Sequence, residues 1–193
     1  MIIVPKEEIM MNQKTKLISI CAWGSIALFV LRCVISWKDI IEGVSAYDLF
    51  GYASEAISIS ILFTGLYEKF LWRISPFEKT PKLAKRYNGT LKSDYDKSER
   101  RATLEIRQTL TLIHITLITD ESKSRSLSAS IDEILGEVQL TYCYFNTPKS
   151  EYRERSEIHY GTATLSITGS NTLEGQYYTD RKTRGDMTFI SEL

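Results

Sequence analysis

Two long apolar runs open the chain, and a different pattern follows them. Residues 17–37 read LISICAWGSIALFVLRCVISW and residues 49–67 read LFGYASEAISISILFTGLY, with one charge in each. A bilayer core of about 30 Å needs about 20 helical residues, so each run is long enough to span it. A cleaved signal peptide would have a shorter apolar core. The pattern predicts a cytosolic N-terminal segment over 1–16, a first span over 17–37 and an external turn over 38–48. A second span with its interface end then covers 49–72. Lys and Arg cluster before the first run and after the second, whereas Lys38 is the one basic residue of the short connection. The positive-inside rule therefore places both termini in the cytoplasm and the short turn outside. A basic junction with Pro76 and Pro81 follows over 73–86, and its cations suit anionic headgroups.

From residue 87 onward the apolar positions alternate with period two. Candidate strands cover 87–93, 102–109, 110–119, 124–134, 137–146, 158–168, 172–180 and 184–191, separated by polar breaks. Eight short antiparallel strands favour a small closed barrel, which leaves no exposed sheet edge. The expected fold is thus membrane-anchored α plus all-β: a two-helix transmembrane hairpin, then an eight-stranded antiparallel β-barrel over 87–193 in the cytosol.

Charge and composition narrow the function. Lys+Arg and Asp+Glu are equal at 24 each, which speaks against duplex nucleic acid as a partner. Three cysteines form no complete disulfide set, and two histidines without a Cys/His cluster leave no zinc motif. No phosphate-cradling glycine loop or nucleophile elbow is present, and Asp132 and Glu133 are adjacent, so they face opposite sides of a strand. The reading is of a non-enzyme without catalytic residues, metal or cofactor.

Two features remain for binding and assembly. Arg32 stands five residues before the outer end of the first run, and Glu55 six residues after that of the second, so they lie at similar depth. Each should cost about 2.5–3.5 kcal/mol near a helix centre, so pairing is expected. Gly51, Ser54, Glu55 and Ser58 share one helix face, small and polar enough for close helix association. The pair is either a static link within one hairpin, or it also joins protomers or lines an aqueous path. In the barrel, Val138, Leu140, Tyr142 and Tyr144 alternate along one strand, His159, Gly161, Ala163, Leu165 and Ile167 along another, and Leu173, Gly175, Tyr177, Thr179 and Arg181 along a third. Turned inward, these sets combine an apolar floor with aromatic rings and cations, a mixture suited to stacking bases and holding phosphates.

The order of certain short segments behind a two-helix anchor is more specific. These are PKLAKRYNG at 81–89, IRQT at 106–109, LTYCY at 140–144, HYG at 159–161 and LEGQYYTDRKTRG at 173–185. In these the chain resembles the two-transmembrane, β-strand-rich effectors of bacterial CBASS antiphage systems, which carry a cyclic dinucleotide-binding barrel. It carries Lys85 and Tyr87 where the family pattern commonly has Gly and Trp. The resemblance implies a receptor that binds a cyclic dinucleotide or related cyclic oligonucleotide, forms a ligand-induced homo-oligomer and disrupts the lipid bilayer, killing the infected cell. It implies ligand contacts from Arg107, Gln108, Tyr142, Tyr144, His159, Tyr177, Arg181 and Arg184. Two other readings are a membrane-anchored lipocalin-like carrier of a small molecule and a protein-recruitment module.

Overall fold

A computed structural model describes residues 6–154, 156–169 and 171–192. The chain divides into two compact units, a helical one over Glu7–Lys79 and a β unit from Thr80 onward. The expected N-terminal segment 1–16 lies partly outside the described residues; from Lys6 it forms the start of the first helix.

In the helical unit, α1 covers Lys6–Ile35, α2 Trp37–Gly43 and α3 Ala46–Lys69. Stretches Gln13–Ile35 and Ala46–Lys69 are long and apolar enough to cross a membrane. The connection between them is largely helical, because α2 occupies most of it. It ends where Ser45 caps α3: the Ser45 hydroxyl accepts from the Asp48 backbone N–H, and the Asp48 carboxylate accepts from the Ser45 N–H. This reciprocal arrangement satisfies two otherwise free amides and sets where α3 begins. After α3, a 3₁₀ turn over Leu71–Arg73 leads to Glu78, whose buried carboxylate accepts from Lys16 Nζ at 2.8 Å and from Gln13 Nε2 at 3.3 Å. These bonds draw the segment after α3 back onto α1.

The β unit is a closed antiparallel barrel in which each strand pairs with its sequence neighbours and β1 pairs with β8. The strands are β1 Arg86–Ser93, β2 Glu99–Gln108, β3 Ile113–Thr119, β4 Ser122–Ile134, β5 Glu137–Pro148, β6 His159–Thr168, β7 Thr172–Thr179 and β8 Arg184–Ser191. Thr109–Leu112 turns between β2 and β3: the Thr109 N–H bonds the Leu112 carbonyl at 2.8 Å, and the Thr109 hydroxyl accepts from the Leu112 N–H. In β4 the register against β5 shifts between Ser126 and Ser128, which turns Leu127 outward. The Ser126 hydroxyl replaces a ladder carbonyl there, accepting from the Ile115 N–H at 2.9 Å.

Up-and-down topology gives the barrel two distinct ends. One end gathers the β2–β3, β4–β5 and β6–β7 turns together with the segment that leads into β1. That segment closes it. Leu83 is buried inside, its N–H bonded to Gln108 Oε1 at 3.0 Å, while Gln108 Nε2 donates to the Pro81 carbonyl at 2.8 Å. The Ala84 N–H donates to Tyr87 Oη, and the Ile106 N–H to the Lys85 carbonyl, both at 2.9 Å. Above this plug lies a core of Tyr87, Leu104, Ile106, Leu140, Tyr142, Leu165, Leu173 and Phe189. Full burial of each such side chain is worth about 1.5–3 kcal/mol, so the closed end carries much of the barrel's stability.

Candidate functional site

The opposite end is open. The β1–β2, β3–β4, β5–β6 and β7–β8 connections surround a cavity of about 470 Å³, within the range of small-molecule sites. Its wall includes Leu91, Leu117 and Met187 low down, and Ser124, Asn146, His159 and Thr179 above them. Tyr144, Tyr152 and Tyr177 supply rings, and Arg100 and Arg181 supply cations. Asp96 and Glu121 also line it.

Two of the rings are seated by glycines. Tyr144 faces Gly161 across the β5–β6 ladder, and Tyr177 faces Gly185 across β7–β8. A Cβ at Gly161 would stand 2.4 Å from Cζ and Oη of Tyr144, and one at Gly185 would stand 2.7 Å from Cε1 of Tyr177. The missing methyl groups therefore let both rings lie against the barrel wall, which keeps the cavity open. Tyr144 also packs against Tyr142, with ring centroids 5.8 Å apart and planes tilted by 47°. Burial raises the phenol pKa of both tyrosines far above the ordinary value, so each stays neutral.

His159 is set up as an acceptor. Its Nδ1 lies 3.0 Å from the Glu157 carbonyl, which can only accept, so Nδ1 carries the proton and Nε2 keeps a lone pair. Burial lowers its pKa below 6.5, and the nearby Arg181 acts in the same direction. The imidazole is thus neutral at physiological pH. Arg181 donates to Ser156 Oγ at 3.4 Å. Arg100 is bonded to the Asp96 carboxylate, and its Nε lies 3.7 Å from Glu121 Oε2. Asp96 is held well below the usual carboxylate range by Arg100 first and then by the hydroxyl and backbone N–H of Ser98.

The structure brings Tyr144, His159, Tyr177 and Arg181 together at this cavity. It places the other four expected contacts elsewhere. Tyr142 forms part of the floor below, fully buried, and among the described residues its hydroxyl has no hydrogen-bond partner. Gln108 is the latch of the closed end, and Arg107 points outward beside it, opposite His114. Arg184 sits outside the rim, where its Nε holds Asp94 at 2.8 Å and its side chain is 80% exposed. Alternation carries this information: Arg107 and Gln108 are adjacent on β2, so one must face out when the other faces in. The expected list omitted Arg100 and Asn146. Both continue inward-facing series, Arg100 ahead of Ala102 and Leu104, and Asn146 after Tyr142 and Tyr144.

In the helical unit Arg32 Nε lies 3.3 Å from Glu55 Oε2, so the charges of the two apolar helices pair within one chain. Arg32 also donates to Ser36 Oγ at 2.8 Å, and its guanidinium covers the Tyr52 ring at 4.5 Å. Gly51, Ser54 and Ser58 are exposed on the single chain, and both hydroxyls turn back to carbonyls of their own helix. Close approach between α1 and α3 instead uses Gly24, where a Cβ would stand 3.0 Å from Ser60 Oγ, with Ala56 buried one turn away.

Comparison with known proteins agrees with this architecture. Residues 78–190 match the family described as Cap15, cyclic dinucleotide receptor domain, which covers the barrel. The chain is also 33% identical over 185 residues to CD-NTase-associated protein 15 of Staphylococcus schleiferi, spanning 92% of this chain and 97% of that protein. With two helices able to cross a membrane ahead of a closed eight-stranded barrel, the chain belongs to the Cap15 family of CBASS effectors.

Proposed function

We propose that this chain is a membrane-anchored receptor-effector that acts by binding rather than by turnover. A cyclic dinucleotide made during phage infection enters the open end of the barrel in the cytoplasm. Its bases stack on the seated tyrosines, His159 Nε2 and Asn146 supply hydrogen bonds, and Arg181 holds a phosphate. The observation that carries this reading is the cavity itself: rings, neutral acceptors and cations meet at one end of a barrel whose other end is closed by the chain.

Ligand binding then favours an assembled state. Moving a population from 1:99 to 99:1 takes about 5.5 kcal/mol of differential binding, and confinement to a membrane lets modest contacts between protomers add up. The hairpins lie in the bacterial inner membrane with both termini in the cytoplasm, as the flanking basic residues favour. On a single hairpin the side chain of Glu55 is 55% exposed and that of Arg32 38% exposed. Charged groups left facing hydrocarbon are costly, which favours a second hairpin covering them on the face with Gly51, Ser54 and Ser58. Clustered hairpins disrupt the bilayer, and the infected cell dies.

The test is expression in bacteria beside a cyclic dinucleotide synthase, with dye entry as the readout. The wild type should admit dye only when the synthase is active. Arg32→Ala or Glu55→Ala should keep ligand binding and reduce dye entry. Unchanged dye entry for both, in correctly inserted protein, would remove the charged-face mechanism.

A further inference from the structure

The two guanidinium groups that line the cavity are in different states. Arg181 donates to the Ser156 hydroxyl, and among the described residues no carboxylate lies within ion-pair distance of it. Arg100 is already engaged: Nη2 and Nη1 donate to the two oxygens of Asp96, and Nε faces Glu121 at 3.7 Å. The formal charges of Arg100, Arg181, Asp96 and Glu121 cancel, and His159 is neutral. A ligand with two phosphodiesters thus meets one available cation and one that is occupied.

We infer that Arg100 is a second phosphate-binding residue of this site, kept in reserve by Asp96 and Glu121. The inference rests on the receptor reading above. One phosphodiester engages Arg181; the other must take Arg100 from Asp96. A phosphate can replace a carboxylate in this exchange because both offer two acceptor oxygens to the planar fork of Arg. The partner that gives way is Asp96. Arg100 belongs to β2, where the β1–β2 register fixes its backbone opposite Leu91. Asp96 lies in the connecting turn, and it keeps a role there without Arg100, since its Oδ1 accepts from the Ser98 N–H at 3.1 Å and the Ser98 hydroxyl at 2.8 Å. The arrangement selects for two phosphates on one ligand. A cyclic mononucleotide can satisfy Arg181 but has no second phosphate to draw Arg100 away.

Asp96→Asn separates the two roles of this residue, because an amide oxygen still accepts from Ser98 while the charge that holds Arg100 is gone. Glu121→Gln is the second variant. The full chain in lipid nanodiscs is titrated with cyclic di-AMP, cyclic di-GMP, cyclic GMP–AMP and, as the single-phosphate probe, cyclic AMP. For each dinucleotide that binds the wild type, both variants should bind it about two- to fivefold more tightly, the size expected of losing an exposed competing ion pair. Arg100→Gln should bind it about tenfold more weakly. Cyclic AMP affinity should move less than dinucleotide affinity in each of the three variants, because it reads only the change in cavity charge and not the capture of a second phosphate. Unchanged or weaker dinucleotide binding in both carboxylate variants would overturn the inference while leaving the receptor reading intact. A wild type and variants that bind none of the dinucleotides would overturn the receptor reading itself.

Discussion

At the closed end of the barrel the inward positions include Tyr87, Leu104, Ile106, Leu140, Leu165, Leu173 and Phe189; at the open end they include Ser93, Arg100, Thr119, Ser124, Asn146, His159 and Thr179. Strand geometry does not differ between the two sets. What differs is how the polar groups are met. Gln108 at the closed end has both ends of its amide bonded to the incoming chain, so its burial is compensated. The open end keeps a lone pair on His159 and cationic donors on Arg181 at a cavity wall. One half of the barrel spends its side chains on stability, and the other leaves them for a ligand.

That division can be broken most forcefully at Phe189, which is fully buried. Phe189→Ala should lower the barrel's unfolding free energy by about 3–5 kcal/mol, the usual cost of emptying an aromatic core site. Denaturant unfolding of the detergent-solubilised chain, followed by near-UV tyrosine dichroism, reads it. A loss below about 1 kcal/mol would mean that this end is not packed as described.

Gly161→Ala tests the ring seats. Its Cβ would meet the Tyr144 ring at 2.4 Å and the Tyr178 carbonyl at 2.7 Å. Overpacking of this kind costs about 1–3 kcal/mol. The displaced ring should also weaken cyclic dinucleotide binding about tenfold, the equivalent of about 1.4 kcal/mol. Wild-type affinity in a folded variant would show that the seat is immaterial to the ligand. Gln108→Ala should do the reverse. It leaves the Leu83 N–H and Pro81 carbonyl unmet, costs about 1–3 kcal/mol of stability, and leaves ligand affinity unchanged when measured well below the melting temperature.

A smaller effect comes from His159. Its folded pKa is lowered from 6.5, so the unfolded chain binds the proton more readily than the folded one. Stability is therefore retained above pH 6.5 and falls as the pH drops through the folded value. His159→Gln should flatten that fall, and melting curves from pH 7.5 to 5 for both proteins check it. Smallest of all is Arg184→Ala. Its ion pair with Asp94 is largely solvated, so the melting temperature and the ligand affinity should both stay at their wild-type values.

Much of the architecture was legible because hydrophobic burial imposes a period. Two runs of about 20 apolar residues announce helices able to span a bilayer, and period-two alternation announces strands with one face inward. Alternation alone therefore puts each of the series that hold Tyr144, His159 and Tyr177 on one face of its strand, and the structure turns those faces inward. What alternation does not carry is height along the barrel. Tyr142 and Tyr144 share a face, yet one is floor and the other wall, because cross-strand register sets which end each approaches. Arg100 was hidden for another reason. The charged stretch at 94–99 reads as a polar break and the next strand as starting at 102, although β2 already begins at Glu99 and its Arg100 turns inward. The Arg32–Glu55 contact could be read from depth and charge, whereas the Gly24–Ser60 approach needed the rotation of both helices.

The most direct test of the central claim is calorimetric titration of the full chain in nanodiscs with a panel of cyclic dinucleotides, beside Arg181→Ala and Arg184→Ala. The account predicts saturable binding of at least one dinucleotide, about tenfold weaker for Arg181→Ala and unchanged for Arg184→Ala. Binding that Arg181→Ala leaves intact, or no binding by a folded wild type, would contradict the placement of the ligand at the open end.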